Sequence, residues 1–73
     1  MIITEAMNGA RVRLRNQGKG TIVDTNFATG TCYRVRVLVD GEDYPRLYSG
    51  LGFLLCNNVI HDLDIIEVEG KYE

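Results

Sequence analysis

Cysteine is scarce in this chain, with Cys32 and Cys56 the two in 73 residues. That is too few for a secreted scaffold held by several bridges. The reading taken is two reduced thiols filling apolar space, with a single bridge between them as the alternative. Histidine and serine occur once each, as His61 and Ser49. A structural zinc site needs four ligands, and two separated cysteines with one histidine do not supply them. A lone serine and histidine with no elbow motif around the serine carry no nucleophilic chemistry. Long apolar runs are missing as well: the longest spans 51–56 and is broken by Gly52, far short of the roughly 20 residues that cross a bilayer. The N-terminus sets its basic residues after its apolar ones and lacks a long hydrophobic centre, which excludes a secretory signal and makes a cytoplasmic address the expectation. No repeat, low-complexity tract or linker divides the chain, so residues 1–73 are read as one domain.

What is present is charge, divided unevenly. The formal net charge is −2, yet residues 1–39 carry Arg11, Arg13, Arg15, Lys19, Arg34 and Arg36 against Glu5 and Asp24, a net +4. Residues 40–73 carry Arg46 and Lys71 against eight carboxylates, a net −6. Such asymmetry points to a charged binding face, or to two halves that neutralise one another in the fold.

Turn residues cut the sequence into short pieces, which is the punctuation of an all-β domain. "ARVRLR" alternates, with Val12 and Leu14 on one face and the arginines on the other. "TIVDTNF" is β-branched, but Ile22 and Val23 adjoin, which predicts a bulge or a strand buried on both sides. "CYRVRVLVD" is the strongest strand, placing Tyr33, Val35, Val37 and Val39 opposite Arg34 and Arg36. Asp40-Gly41 after it is the pair that suits a two-residue hairpin turn. Pro45 confines "YPRLYSG" to an edge or to a strand start. "NNVIHDLD" reads as a turn leading into a short helical turn, and "IIEVE" closes the chain with Ile66 and Val68 inward.

These pieces together, "NGARVRLRNQGKGTIVD", "YRVRVLVDG" and "HDLDIIEVE", resemble the SH3-like barrel superfamily with its KOW and Tudor branches. The resemblance implies an all-β barrel of five or six short strands, with a glycine-bearing loop between the first two and a helical turn before the last. It specifies fold far more than function. The stretch 51–58 departs from it, being longer and more apolar than the usual fourth connection. The opening also looks like the small plasmid-encoded type II dihydrofolate reductases. Those carry Val-Gln-Ile-Tyr where this chain has Arg46-Leu47-Tyr48-Ser49, so that activity is not carried over.

The loop around Gly18-Lys19-Gly20-Thr21 has the residue types of a phosphate cradle but not its grammar. A P-loop needs a hydroxyl residue after the lysine, a glycine at the position held by Arg13, and a helix downstream. The expectation is a glycine-bearing hairpin with Lys19 solvated at its tip. "HDLD" could hold a cation or a base, but a solvated turn of that composition is far commoner.

Two surfaces are left as candidates. Arg11, Arg13, Arg15, Lys19, Arg34 and Arg36 would recognise nucleic acid or an acidic partner, since guanidinium groups bind phosphate or carboxylate oxygens in pairs. Against a nucleic acid stand the acidic half and the absence of tryptophan for stacking. Leu51, Phe53, Leu54 and Leu55 form an apolar stretch whose extended form cannot bury every side chain in one core, which marks a protein interface. The function expected is a non-enzymatic interaction or regulatory module that docks on a protein or on a second copy of itself, with an RNA- or DNA-binding barrel as the alternative. No cofactor, metal or membrane is expected.

Overall fold

In the computed structural model, the protein is described at residues 3, 4, 6, 8–25, 32–55, 57 and 59–70. Five strands follow in chain order: β1 Arg11–Leu14, β2 Lys19–Asp24, β3 Tyr33–Val39, β4 Arg46–Ser49 and β5 Ile65–Gly70. All neighbours are antiparallel in one sheet of order β4-β3-β2-β1-β5. The sheet curls into a half-barrel. At one end its two edge strands are brought together, because Gly52 just after β4 accepts a hydrogen bond at 2.9 Å from Ile65 N at the start of β5.

Alternation builds the core. Val12, Leu14, Ile22, Val35 and Val37 are completely buried on the concave side, joined by Ile3 and Tyr48. Ala10, Val39 and Ile65 complete this cluster, with Leu54, Leu63 and Val68 packed against it. Each such side chain removed from water contributes about 1.5–3 kcal/mol. In so small a chain, a few of them hold the fold.

The bulge expected at Ile22 and Val23 is present: the β2–β3 register slips between Ile22 and Asp24, and Val23 turns outward to 40% exposure. Pro45 immediately precedes β4, which lies at the sheet edge, as a residue with no N–H requires.

Four expectations are corrected. The β3–β4 connection has the expected tight turn at Asp40-Gly41 but is longer than a two-residue hairpin. Glu42 N donates to Val39 O, and Gly41 takes φ 89° in the third position of that turn. Asp40 keeps a negative φ, and pairing resumes only at Arg46. No helical turn precedes β5 among the described residues. There, His61 O accepts from Asp64 N in a single tight turn, and the buried Asp64 carboxylate folds back onto His61 N at 2.8 Å. That local bond competes with helix. β5 departs from the expectation at one residue: Val68 packs against the core as expected, but Ile65 is buried in place of Ile66. Its register against β1 skips Ile66 and Glu69, so Ile65 and Val68 face inward and Ile66 is released towards the surface. Finally, Cys32 is not a reduced thiol but is bonded in a disulfide. The chain's other cysteine, Cys56, lies outside the described residues.

Candidate functional site

The basic residues are built onto the convex face by strand alternation, and the acidic half meets them there. Arg11 on β1 donates through both terminal nitrogens to Asp40, at 2.9 and 2.7 Å, and also to Thr21 Oγ1 on β2. Arg13 lies 2.7 Å from Glu67, and Lys19 lies 3.3 Å from Glu69. Arg36 on β3 donates to Asp24 at 3.2 Å. Arg34 is exposed and donates to its neighbour's carbonyl, Tyr33 O. Four of the six ion pairs among the described residues, those of Arg11, Arg13, Arg15 and Lys19, join the basic half of the sequence to the acidic half. The convex face is thus a mixed lattice rather than a basic stripe. The guanidinium hydrogen bonds from Arg11 and Arg46 hold the Asp40 and Glu42 carboxyls below their ordinary range.

Lys19 does not crown the first hairpin. Arg15, Asn16 and Gln17 do, and Gln17 adopts φ 76° where glycine would be expected. Gly20 has a packing reason: a Cβ placed there would sit 2.9 Å from Leu38 O and 3.0 Å from Val37 Cγ1. The second glycine of the phosphate-like run is there for close approach of β2 to β3.

The other set of candidates lies in the β4–β5 connection, which is drawn tight at its start. Ser49, buried at the end of β4, accepts at Oγ from Leu51 N and Phe53 N at 3.3 and 3.2 Å. Its carbonyl accepts from Gly52 N, which sits at φ 92°. This knot leaves Leu51 exposed and Phe53 half-buried, and Leu54 packs back onto the core. Leu54 is therefore a packing residue, and Leu55 is half-buried.

Leu51 and Phe53 form a wall of a cleft of about 260 Å³ whose opposite side is Ile65 and Ile66, with Arg15 and Asp64 also lining it. Arg15 and the apolar stretch, separate candidates in the sequence, meet here. Asp64 is 1% exposed. Its Oδ1 accepts from Leu54 N at 2.9 Å, and its Oδ2 from His61 N at 2.8 Å and from Arg15 at a longer 3.4 Å. Arg15 N in turn donates to Asp64 O. Tyr48 locks the same corner from below, donating its hydroxyl to Leu63 O at 2.6 Å. His61 Nδ1 accepts from Leu63 N at 3.0 Å, which spends the histidine's acceptor on the turn.

Two residues of this connection escaped the sequence reading. Val59 and Ile60 are 52% and 69% exposed. They belong to the stretch expected to be a turn leading into a short helical turn, and in the fold they lie on the surface before the tight turn at His61–Asp64. A second depression, of about 450 Å³ on the β3–β4 hairpin, is lined by Gly41, Asp43, Tyr44, Pro45 and the mutually bonded Glu42 and Arg46.

Among the described residues, no group of three or more histidine, cysteine or carboxylate side chains is placed to hold a metal ion, and no helix is long and apolar enough to cross a membrane. No protein-family model, curated protein or solved structure matches the chain. The functional reading rests on the geometry.

Proposed function

We propose that the protein is a non-enzymatic docking module, a small SH3-like barrel whose β4–β5 connection binds a protein partner. The observation that carries this reading is where the exposed apolar residues fall. Among the described residues five large hydrophobics are exposed, and three of them, Leu51, Val59 and Ile60, belong to that one connection, beside the cleft that Phe53 and Ile66 help to line. On so small a surface, apolar side chains gathered in one segment are a feature of interaction sites. The order and curl of the five short strands support the barrel resemblance, while the tight turn before β5 departs from it.

A nucleic-acid role for Arg11, Arg13, Arg15, Lys19, Arg34 and Arg36 has less support. Five of the six are ion-paired to carboxylates, which a polynucleotide would have to displace against their own repulsion. The disulfide at Cys32 also bears on the address: structural disulfides persist in oxidising compartments and are rare in a reducing cytosol. A cytoplasmic location is therefore not part of the proposal.

The test is a photo-crosslinking amino acid placed at Ile60, and separately at Tyr44 on the opposite hairpin, in protein produced in its native host. A discrete adduct from position 60, absent from position 44 and lost on adding Leu51→Asp, is expected. An adduct of twice the chain mass would make the partner a second copy. Equal adducts from both positions, or none from position 60, would refute the docking reading.

A further inference from the structure

Resting on that docking reading, we infer that the cleft between Phe53 and Ile66 takes a segment of the partner in which a carboxylate adjoins an apolar side chain, the carboxylate bound by Arg15. Size limits the occupant first. At about 260 Å³ the cleft falls below the roughly 300–1,000 Å³ of small-molecule sites. It suits one inserted side chain, with Leu51, Phe53, Ile65 and Ile66 as its apolar lining.

Charge then selects what lies beside that side chain. Arg11 and Arg46 are each held by two short bonds to one carboxylate, at 2.7–2.9 Å. Arg15 touches Asp64 through a single nitrogen at 3.4 Å, and its side chain is 39% exposed. Asp64 does not depend on that contact, because two backbone N–H groups already satisfy its oxygens at 2.8 and 2.9 Å. Arg15 can therefore turn its remaining donors to an incoming carboxylate without orphaning a buried charge. Since Asp64 is 1% exposed, an arriving anion meets the guanidinium rather than the carboxylate beneath it. A charge-assisted bond at the rim of an apolar slot then sets the orientation of the inserted side chain.

The experiment is a titration of the isotopically labelled full chain with two capped peptides, acetyl-Gly-Asp-Phe-Gly-amide and its Asn-Phe counterpart, followed by amide and arginine side-chain NMR. The Asp-Phe peptide should shift the amides of Gly52, Phe53, Ile65 and Ile66 and the Arg15 Nε–H. The Asn-Phe peptide should reach the same sites about tenfold more weakly, the size of a lost charge-assisted bond. Arg15→Gln, whose spectrum reports directly whether the fold is kept, should make the two peptides equivalent, and Arg15→Lys should restore part of the difference. Equal affinity of the two peptides for the unaltered chain would overturn the role of Arg15 while leaving apolar docking standing. Shifts confined to other surfaces, or none, would overturn the cleft itself. The docking reading as a whole is judged independently by the crosslink at Ile60.

Discussion

Tyr48 is the largest side chain in the core, fully buried on an edge strand, and it is tied down by the 2.6 Å bond from its hydroxyl to Leu63 O. Burial is the main reason its phenol is pushed up from 10.0 to about 12. The folded state therefore holds this proton more tightly than the unfolded chain does. The resulting stabilisation is complete below pH 10 and is lost as pH rises through about 12. Chemical denaturation as a function of pH should show stability falling across that window. Tyr48→Phe should start about 1–2 kcal/mol lower at neutral pH, because Leu63 O loses its donor, and should lack the alkaline fall. Parallel alkaline profiles for the two proteins would show that Tyr48 is not what limits stability there. Gly20 makes a related point by having no side chain: the 2.9 Å approach of a hypothetical Cβ to Leu38 O is a packing constraint, and it accounts for a glycine that resembled part of a phosphate loop.

At the scale of elements, the strands were legible and their connections were not. Alternation in "ARVRLR" and "CYRVRVLVD" located β1 and β3 and their buried faces, because side-chain direction in a strand is a local, period-two property. "IIEVE" marks β5 and the inward Val68, but strict alternation puts Ile66 rather than Ile65 inside, since the skips at Ile66 and Glu69 are register facts that exist only once β1 is alongside. The helical turn before β5 failed for a similar reason: Asp64 bonds to His61 N and to Leu54 N, and the second partner is remote in sequence. The candidate site was half legible, with Arg15 and Phe53 both singled out but never joined. What joins them is the knot at Ser49, whose Oγ accepts two backbone N–H groups and sets the direction of Leu51 and Phe53. Ser49→Ala should cost about 1–3 kcal/mol of stability, because it leaves those donors unpaired in a partly buried turn. It should also raise hydrogen exchange at Leu51 and Phe53 more than at the central strand β2. A uniform rise across the sheet would mean that the knot serves the fold alone and does not specifically shape the cleft wall.

For the whole molecule, the two oppositely charged halves of the sequence bear on whether the convex face can take up a nucleic acid. Folding lays Arg11 on Asp40, Arg13 on Glu67, Arg15 on Asp64 and Lys19 on Glu69, so the +4 of residues 1–39 is met by four carboxylates of residues 40–73. Exposed pairs of this kind contribute little stability each, at most about 1 kcal/mol, but they remove the field that would draw in a polyanion. Affinity for nucleic acid grows with the number of phosphates neutralised and falls steeply with salt. A chain of net −2 in which five guanidinium groups already face carboxylates has few counterions to exchange. Fluorescence anisotropy with a labelled single-stranded oligonucleotide should therefore show no binding at physiological salt and at most a weak, salt-sensitive rise at low salt. Glu67→Gln with Glu69→Gln should strengthen that low-salt binding, because Arg13 and Lys19 are then released while the strands keep their backbone pairing. Tight binding by the unaltered chain that persists as salt is raised, and that Arg13→Glu abolishes, would reverse the order of the two readings and make the convex face, rather than the β4–β5 connection, the working surface.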